Sequence, residues 1–214
     1  MKPLFITGTG TGVGKTLVAA VVAAALEADY WKPVQAGTAD GTDTQTVAQW
    51  LHLQTSRIHQ EVYKLSMPAS PHLAAAHEGV QINLEDVAAR LPQTNNPLVI
   101  EGAGGLYVPL NKEEFVCDLI KKLDAQVILV SRNYLGSINH SLLTASACRS
   151  LNLPVLGWIF NDEYGQYEGE IARWSNYPII GKLPHLPLIT SETIYNQAKQ
   201  LKDRLIRLIE KNSV

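Results

Sequence analysis

A three-layer α/β fold with a mainly parallel central sheet is the architecture this sequence predicts, on three observations. Short apolar runs alternate with longer helical patterns from one end to the other, the mark of repeated βαβ units. A glycine-rich turn joins the first apolar run to a segment, Leu17 to Leu26, that is apolar on every helical face. The 214 residues suffice for one generous domain and fall short of what two would ordinarily need, so a single domain over residues 1–214 is expected.

Taken in order, the first strand is expected at Leu4–Thr7 and the first helix at about Gly14 to Ala28. A helix without a polar face is buried against a sheet, which makes this one central. The second strand is expected at Tyr30–Val34, where Lys32 interrupts an otherwise apolar run and Pro33 follows it. A helical pattern then runs through Val47, Ala48 and Leu51. From Ser56 to Gln81 the pattern is least legible. Its Ser66-Met67-Pro68-Ala69-Ser70-Pro71-His72 stretch is turn-rich, and reads either as a loop bordering the active site or as a plain surface connection. Further strands are expected at Leu98–Glu101, Gln126–Ser131, Pro154–Phe160 and Ile179–Gly181. The last helix, about Ser191 to Lys211, sets Ile194, Ala198, Leu201, Leu205 and Leu208 at steps of four, three, four and three, the spacing of an amphipathic surface helix.

Composition narrows the classes. Hydrophobic residues make up 46% and charged residues 18%, a globular balance with a sizeable core. A net charge of −2 and a pI near 6.3 argue against nucleic acid or an anionic membrane as partner, and point to a small molecule or a protein. The longest apolar segment is half of the roughly 20 residues a membrane helix requires. No export signal is read at the N-terminus, so a cytoplasmic protein is expected. Cys117 and Cys148 lack C-x-x-C spacing and read as buried reduced thiols.

The strongest chemical signal is Gly8-Thr9-Gly10-Thr11-Gly12-Val13-Gly14-Lys15-Thr16, set between the first strand and the first helix. Strand, glycine-rich turn and helix are the context of a phosphate-binding loop, in which backbone N–H groups curl around an anion and the helix N-terminus adds unpaired donors. Lys15 would reach the β- and γ-phosphates, and Thr16 would offer its hydroxyl to magnesium. The fold is therefore expected to be a three-layer P-loop nucleotide-binding fold. The usual spacing wants glycine where Thr9 stands, so Gly8 leads a loop one residue longer than standard.

Magnesium prefers oxygen ligands, and two carboxylates are candidates. Glu101 ends a strand and opens Glu101-Gly102-Ala103-Gly104-Gly105, at the carboxyl edge where open α/β sheets bind ligands; a strand-end cap in a tight turn is the alternative. Asp43 sits at a helix start, where capping is the plain reading of the residue alone. Lys32 must either meet an anion or reach solvent from a sheet edge, since a buried unpaired ammonium is costly.

Together these blocks resemble the dethiobiotin synthetase family. The resemblance covers nearly the whole chain, to about Leu186. The long loop Gly8 to Thr16, Lys32-Pro33-Val34, Glu101-Gly102-Ala103-Gly104-Gly105, Leu135-Gly136-Ser137-Ile138-Asn139-His140 and Gly157-Trp158-Ile159-Phe160-Asn161-Asp162 match that family's blocks in order. The resemblance implies an ATP- and Mg2+-dependent cyclo-ligase that adds CO2 to one amine of 7,8-diaminopelargonate, phosphorylates the carbamate and closes the ring by attack of the second amine. By that resemblance Lys15 holds the transferring phosphoryl group, Lys32 steadies the carbamate and its phosphate, and Thr11 lies beside them. Gly12, Val13, Gly14, Lys15, Thr16 and Leu17 would bind the nucleotide, with Gly102, Ala103 and Gly104 nearby. Thr16, Asp43 and Glu101 would contact magnesium.

The same resemblance gives Asn161, with Asp162, to the adenine edge, and Pro184, His185 and Leu186 to the loop closing over the base. Leu135, Gly136 and Asn139 would receive the substrate carboxylate across a homodimer interface. Two departures stand out. Ala36 occupies a place where the family usually carries a hydroxyl to substrate, and Gly12 replaces a side chain that some members hold over the phosphates. Two alternatives are weighed. A cobyrinic-acid-synthetase-like ligase would need a glutaminase domain, for which there is no room. A switch ATPase of the partition or septum-site type carries a lysine where this chain has Gly10.

Overall fold

The computed structural model describes residues 1–52, 57–162 and 165–212. Its main sheet has seven strands: β1 (Leu4–Gly8), β2 (Asp29–Trp31), β4 (Ile58–His59), β6 (Leu98–Glu101), β7 (Gln126–Arg132), β8 (Val155–Asn161) and β9 (Ile179–Leu183). They lie in the order β4-β2-β6-β1-β7-β8-β9, and every pairing is parallel. An all-parallel sheet must be covered on both faces, and for that reason its strands read as continuous apolar runs.

Alternation along each strand divides the core between two layers. Leu4, Ile6, Tyr30, Val99, Ile128 and Val130 pack into one cluster with α1 (Lys15–Leu26), α2 (Asp43–Leu51) and α8 (Ser191–Lys211). Phe5, Trp31, Ile100, Val127 and Leu129 pack into the other. That second layer is built from α3 (Pro71–His77), α4 (Leu84–Ala89), α5 (Val116–Lys122), α6 (Ser137–Ser150) and α7 (Glu168–Ser175). The first helix is central as expected, with nine of its residues buried. It stops at Leu26 because Glu27 turns left-handed, at φ 52°, and donates its N–H to the carbonyls of Ala23 and Ala24.

One expected strand is two. Tyr30–Val34 breaks at Lys32-Pro33: β2 ends at Trp31, and Val34–Ala36 forms β3, which pairs with β5 (Tyr63–Leu65) in a separate two-stranded sheet. Proline carries no N–H to continue a ladder, and its carbonyl instead accepts from the N–H of Val62 (2.8 Å) and of Tyr63 (3.0 Å). The break leaves Lys32, still buried, just past the carboxyl end of β2. Ser56, where the least legible stretch begins, lies outside the described residues.

Candidate functional site

In a parallel sheet every strand ends on the same edge, so the loops after β1, β2 and β6 meet there. A cavity of about 730 Å3 opens at that edge, lined by the glycine-rich loop, Lys32, Asp43, Glu101 and the Pro68–Pro71 turn. The loop owes its curl to Gly14, which sits left-handed at φ 92° as the N-cap of α1; a side chain there would strain the backbone and collide with Asn161.

The charged residues converge through the period of two. Tyr30 and Lys32 point to the same face of the β2 end, and Val99 and Glu101 to the same face of β6, all toward the start of α1. Lys32 is 4% exposed, with its Nζ 2.9 Å from Glu101 Oε1 and 2.7 Å from Asp43 Oδ2. The solvent-reaching reading of Lys32 is thereby excluded. Glu101, 1% exposed, also accepts from the Tyr30 hydroxyl (2.7 Å) and the Thr16 hydroxyl (2.9 Å), and Thr16 Oγ1 lies 3.1 Å from Asp43 Oδ1. Asp43 is not the cap of α2. Thr42 is, through a capping box with Gln45, and this leaves the Asp43 carboxylate free to face the loop.

These groups perturb one another. Burial pushes Lys32 toward neutrality, but Glu101 and Asp43 more than offset it and hold its pKa above the ordinary lysine value. Lys15 goes the other way. Burial, with repulsion from Lys32, lowers it from 10.5 to about 8 against the pull of Glu101 and Asp43, and its Nζ donates to the Gly10 carbonyl at 2.8 Å. A buried ammonium whose pKa is lowered and whose hydrogen bond is to a neutral carbonyl is prepared for an anion. Burial beside Glu101 raises Tyr30 well above the ordinary phenol range, so it stays a donor.

Oxygen-only donors meet at Thr16 Oγ1, Asp43 and Glu101, which suits a hard cation such as magnesium. Among the described residues no cluster of three or more His, Cys, Asp or Glu side chains could hold a metal alone, so a cation here would draw its other ligands from water or a substrate.

Thr11, Gly12, Gly14, Lys15, Thr16, Lys32, Ala36, Asp43, Glu101, Ala103 and Gly104 all line the main cavity. Gly102 is buried behind it, its N–H donating to Ile6 O at 3.0 Å. Leu17, Asn161, Asp162, Pro184, His185 and Leu186 are brought together in a second groove of about 200 Å3, and the Asn161 amide donates to the Val13 carbonyl at 3.1 Å. Leu135, Gly136 and Asn139 stand apart from both, exposed at the start of α6, with Leu135 86% exposed.

Sequence reasoning passed over Tyr30 and Gln35. Tyr30 was findable, because it stands two residues before Lys32 on a strand. Gln35 accepts the Asp43 N–H (3.2 Å) across a contact that no local pattern announces. The turn-rich segment does border the site, since Pro68, Ala69, Ser70 and Pro71 line the cavity.

Comparison with known proteins adds independent findings. Residues 2–193 match a family model described as an AAA domain. The chain is 48% identical over 205 residues, covering 95% of this chain and 98% of the relative, to the ATP-dependent dethiobiotin synthetase BioD of Cytophaga hutchinsonii. It is 46% identical over 194 residues, covering 90% of each, to the protein of the same name from Rhodopseudomonas palustris (strain HaA2). Among solved structures, the septum site-determining protein MinD of Pyrococcus horikoshii OT3, complexed with Mg-ADP, superposes with a TM-score of 0.54 at 14% identity, over 99% of this chain and 96% of that one. At that identity the likeness speaks for the fold.

Proposed function

Since this chain belongs to the family of ATP-dependent dethiobiotin synthetases, we propose that it is the ligase that closes the ureido ring of dethiobiotin from 7,8-diaminopelargonate, CO2 and ATP. One amine nitrogen adds to CO2, giving a carbamate and releasing a proton. A carbamate oxygen then takes the γ-phosphoryl group and expels ADP. Finally the second amine attacks the carbamate carbon and expels phosphate.

Each species on this route is crowded with negative charge, so positioning and electrostatic stabilisation carry the catalysis. The observation that supports the reading is the convergence of Lys15 and Lys32 on one cavity lined by the glycine-rich loop. In this reading Lys15 and Thr11 face the transferring phosphoryl group, and Lys32, held by Glu101 and Asp43, faces the carbamate. Thr16, Asp43 and Glu101 would hold magnesium, which supplies neutralising charge to the phosphates when bound. Gly12 to Leu17 bind the phosphates, with Gly102, Ala103 and Gly104 behind them. Asn161, Asp162, Pro184, His185 and Leu186 bind the base. Ala36 removes one hydrogen bond to substrate without removing a charge.

Residues 1–214 act as one domain in this reading, and the active form is a homodimer in which Leu135, Gly136 and Asn139 of one copy receive the substrate carboxylate of the other. A cytoplasmic location belongs to the same reading; among the described residues no helix is long and apolar enough to cross a membrane.

The test is substrate dependence. Purified protein with ATP, magnesium and bicarbonate should release ADP, phosphate and dethiobiotin once diaminopelargonate is added. ADP release that ignores the diamine would favour the switch-ATPase reading. Sedimentation of the wild type and of Leu135→Asp should show a dimer and its weakening, and a wild-type monomer active at every concentration would reject the shared site.

A further inference from the structure

Arg132, the last residue of β7, belongs to none of the groups assigned above, yet it lines two cavities at once. One is the 200 Å3 groove that holds Leu17, Asn161 and His185; the other, of about 510 Å3, lies over Gly10 to Val13. Its position is fixed by the strands. Arg132 is in register with Asn161 on β8, and Asn161 is tied to the phosphate loop through the Val13 carbonyl. Its Nε and Nη2 both donate to Asp162 Oδ2, at 3.0 and 2.8 Å. Asp162 itself has a left-handed backbone, at φ 73°.

Both of those bonds use one edge of the guanidinium. The Nη1 edge has no protein partner among the described residues, and the side chain is 50% exposed. Beside it Asn133, only 2% exposed, lines the 510 Å3 cavity, with its Nδ2 donating to Glu168 Oε1 at 3.1 Å. The Nη1 edge of Arg132 is thus a charged donor without an acceptor among the described residues, which a phosphate oxygen would supply.

We propose that Arg132 is a nucleotide-contacting residue, donating from Nη1 to the phosphate nearest the ribose of the bound nucleotide. The inference rests on the ATP reading above and deepens it. A nucleotide with its terminal phosphates in the loop and its base in the groove must pass its ribose-linked phosphate by a residue common to both cavities. Lys15 serves the terminal phosphates, so that inner phosphate otherwise meets only backbone amides. Arg132 supplies its charge, and Asp162 holds the guanidinium in place so that little side-chain freedom is lost on binding.

Calorimetry with ADP tests this, using wild type, Arg132→Ala and Arg132→Lys at low and at high salt. Loss of one charge-assisted contact should weaken ADP binding about tenfold at low salt in Arg132→Ala, with Arg132→Lys between the two. The gap should narrow as salt is raised, because the lost interaction is between charges. An ADP affinity unchanged in Arg132→Ala overturns the proposal. So does a loss of the same size at every salt concentration, the signature of an uncharged packing change at the strand ends rather than of a lost charge contact. A wild type that binds no ADP would sink the ATP reading and this inference with it, whereas normal wild-type binding with an indifferent Arg132→Ala sinks this inference alone.

Discussion

Replacing Lys32 with methionine removes one charge while keeping most of the side-chain volume, and the site geometry sets the consequence. Lys32 Nζ lies within 2.9 Å of Glu101 and 2.7 Å of Asp43. Without it Glu101, 1% exposed, keeps among the described residues only the hydroxyls of Tyr30 and Thr16 as hydrogen-bond partners. Removing one member of a buried ion pair costs about 3–5 kcal/mol, because the survivor is left charged without compensation. With a urea dependence of about 2 kcal/mol per molar, the unfolding midpoint of Lys32→Met should fall by about 2 M. The pH sets the window of that loss. Lys32's folded pKa stands above its ordinary 10.5, so its stabilising contribution is complete below 10.5 and fades only as the pH climbs through the raised folded value. Adding Glu101→Gln should recover more than half of the lost stability, since it removes the uncompensated charge, while dethiobiotin formation stays down by orders of magnitude. Equilibrium urea unfolding of the wild type, both single variants and the double variant reads this directly. A loss under about 1 kcal/mol in Lys32→Met, or a double variant no more stable than Lys32→Met, would refute the coupling on which the site rests.

Three further outcomes follow from the same geometry. Lys15 releases its proton near pH 8 in the folded protein and near 10.5 in the unfolded chain, so the unfolded chain holds more protons between those values and stability should rise with pH across that window. Anion binding restores the Lys15 charge, so calorimetry of ADP above pH 8 in buffers of different ionisation enthalpy should show proton uptake that Lys15→Met abolishes. Asp43→Asn, which leaves the Thr42 cap intact, should raise the magnesium concentration needed for half-maximal activity about tenfold or more with little effect on unfolding; an unchanged magnesium titration would remove Asp43 from the metal's ligands. Burial pushes the Cys148 thiol up to about 12 and raises Cys117 as well, so thiol reagents at pH 8 should leave the native protein unmodified and label both cysteines in urea.

The phosphate loop was legible because its chemistry is local. Glycines, a lysine and a threonine between a strand and a helix dictate a curled backbone wherever the segment sits, and Glu101 at a strand end is legible for the same reason. Of the six strands marked out by apolar runs, five form within a residue or two of their expected bounds. The one expected strand that fails, Tyr30–Val34, fails at Pro33, whose missing N–H was visible but whose consequence depended on the presence of β5 to receive the turned chain. The short strands β3, β4 and β5 carry too few residues for a period to show.

What the sequence alone determined was the set of candidates: a glycine-rich loop between strand and helix, two carboxylates, and a lysine that had to find either a partner or solvent. Which of the two Lys32 found was decided only by the tertiary structure. Glu101 lies 69 residues from Lys32, and Thr16 lies 27 from Asp43. They meet because β6 inserts between β2 and β1, so that strand ends distant in the chain share one edge of the sheet. Strand order is set by how both faces of the whole sheet are covered, a balance summed over the entire core, and no window of sequence contains it.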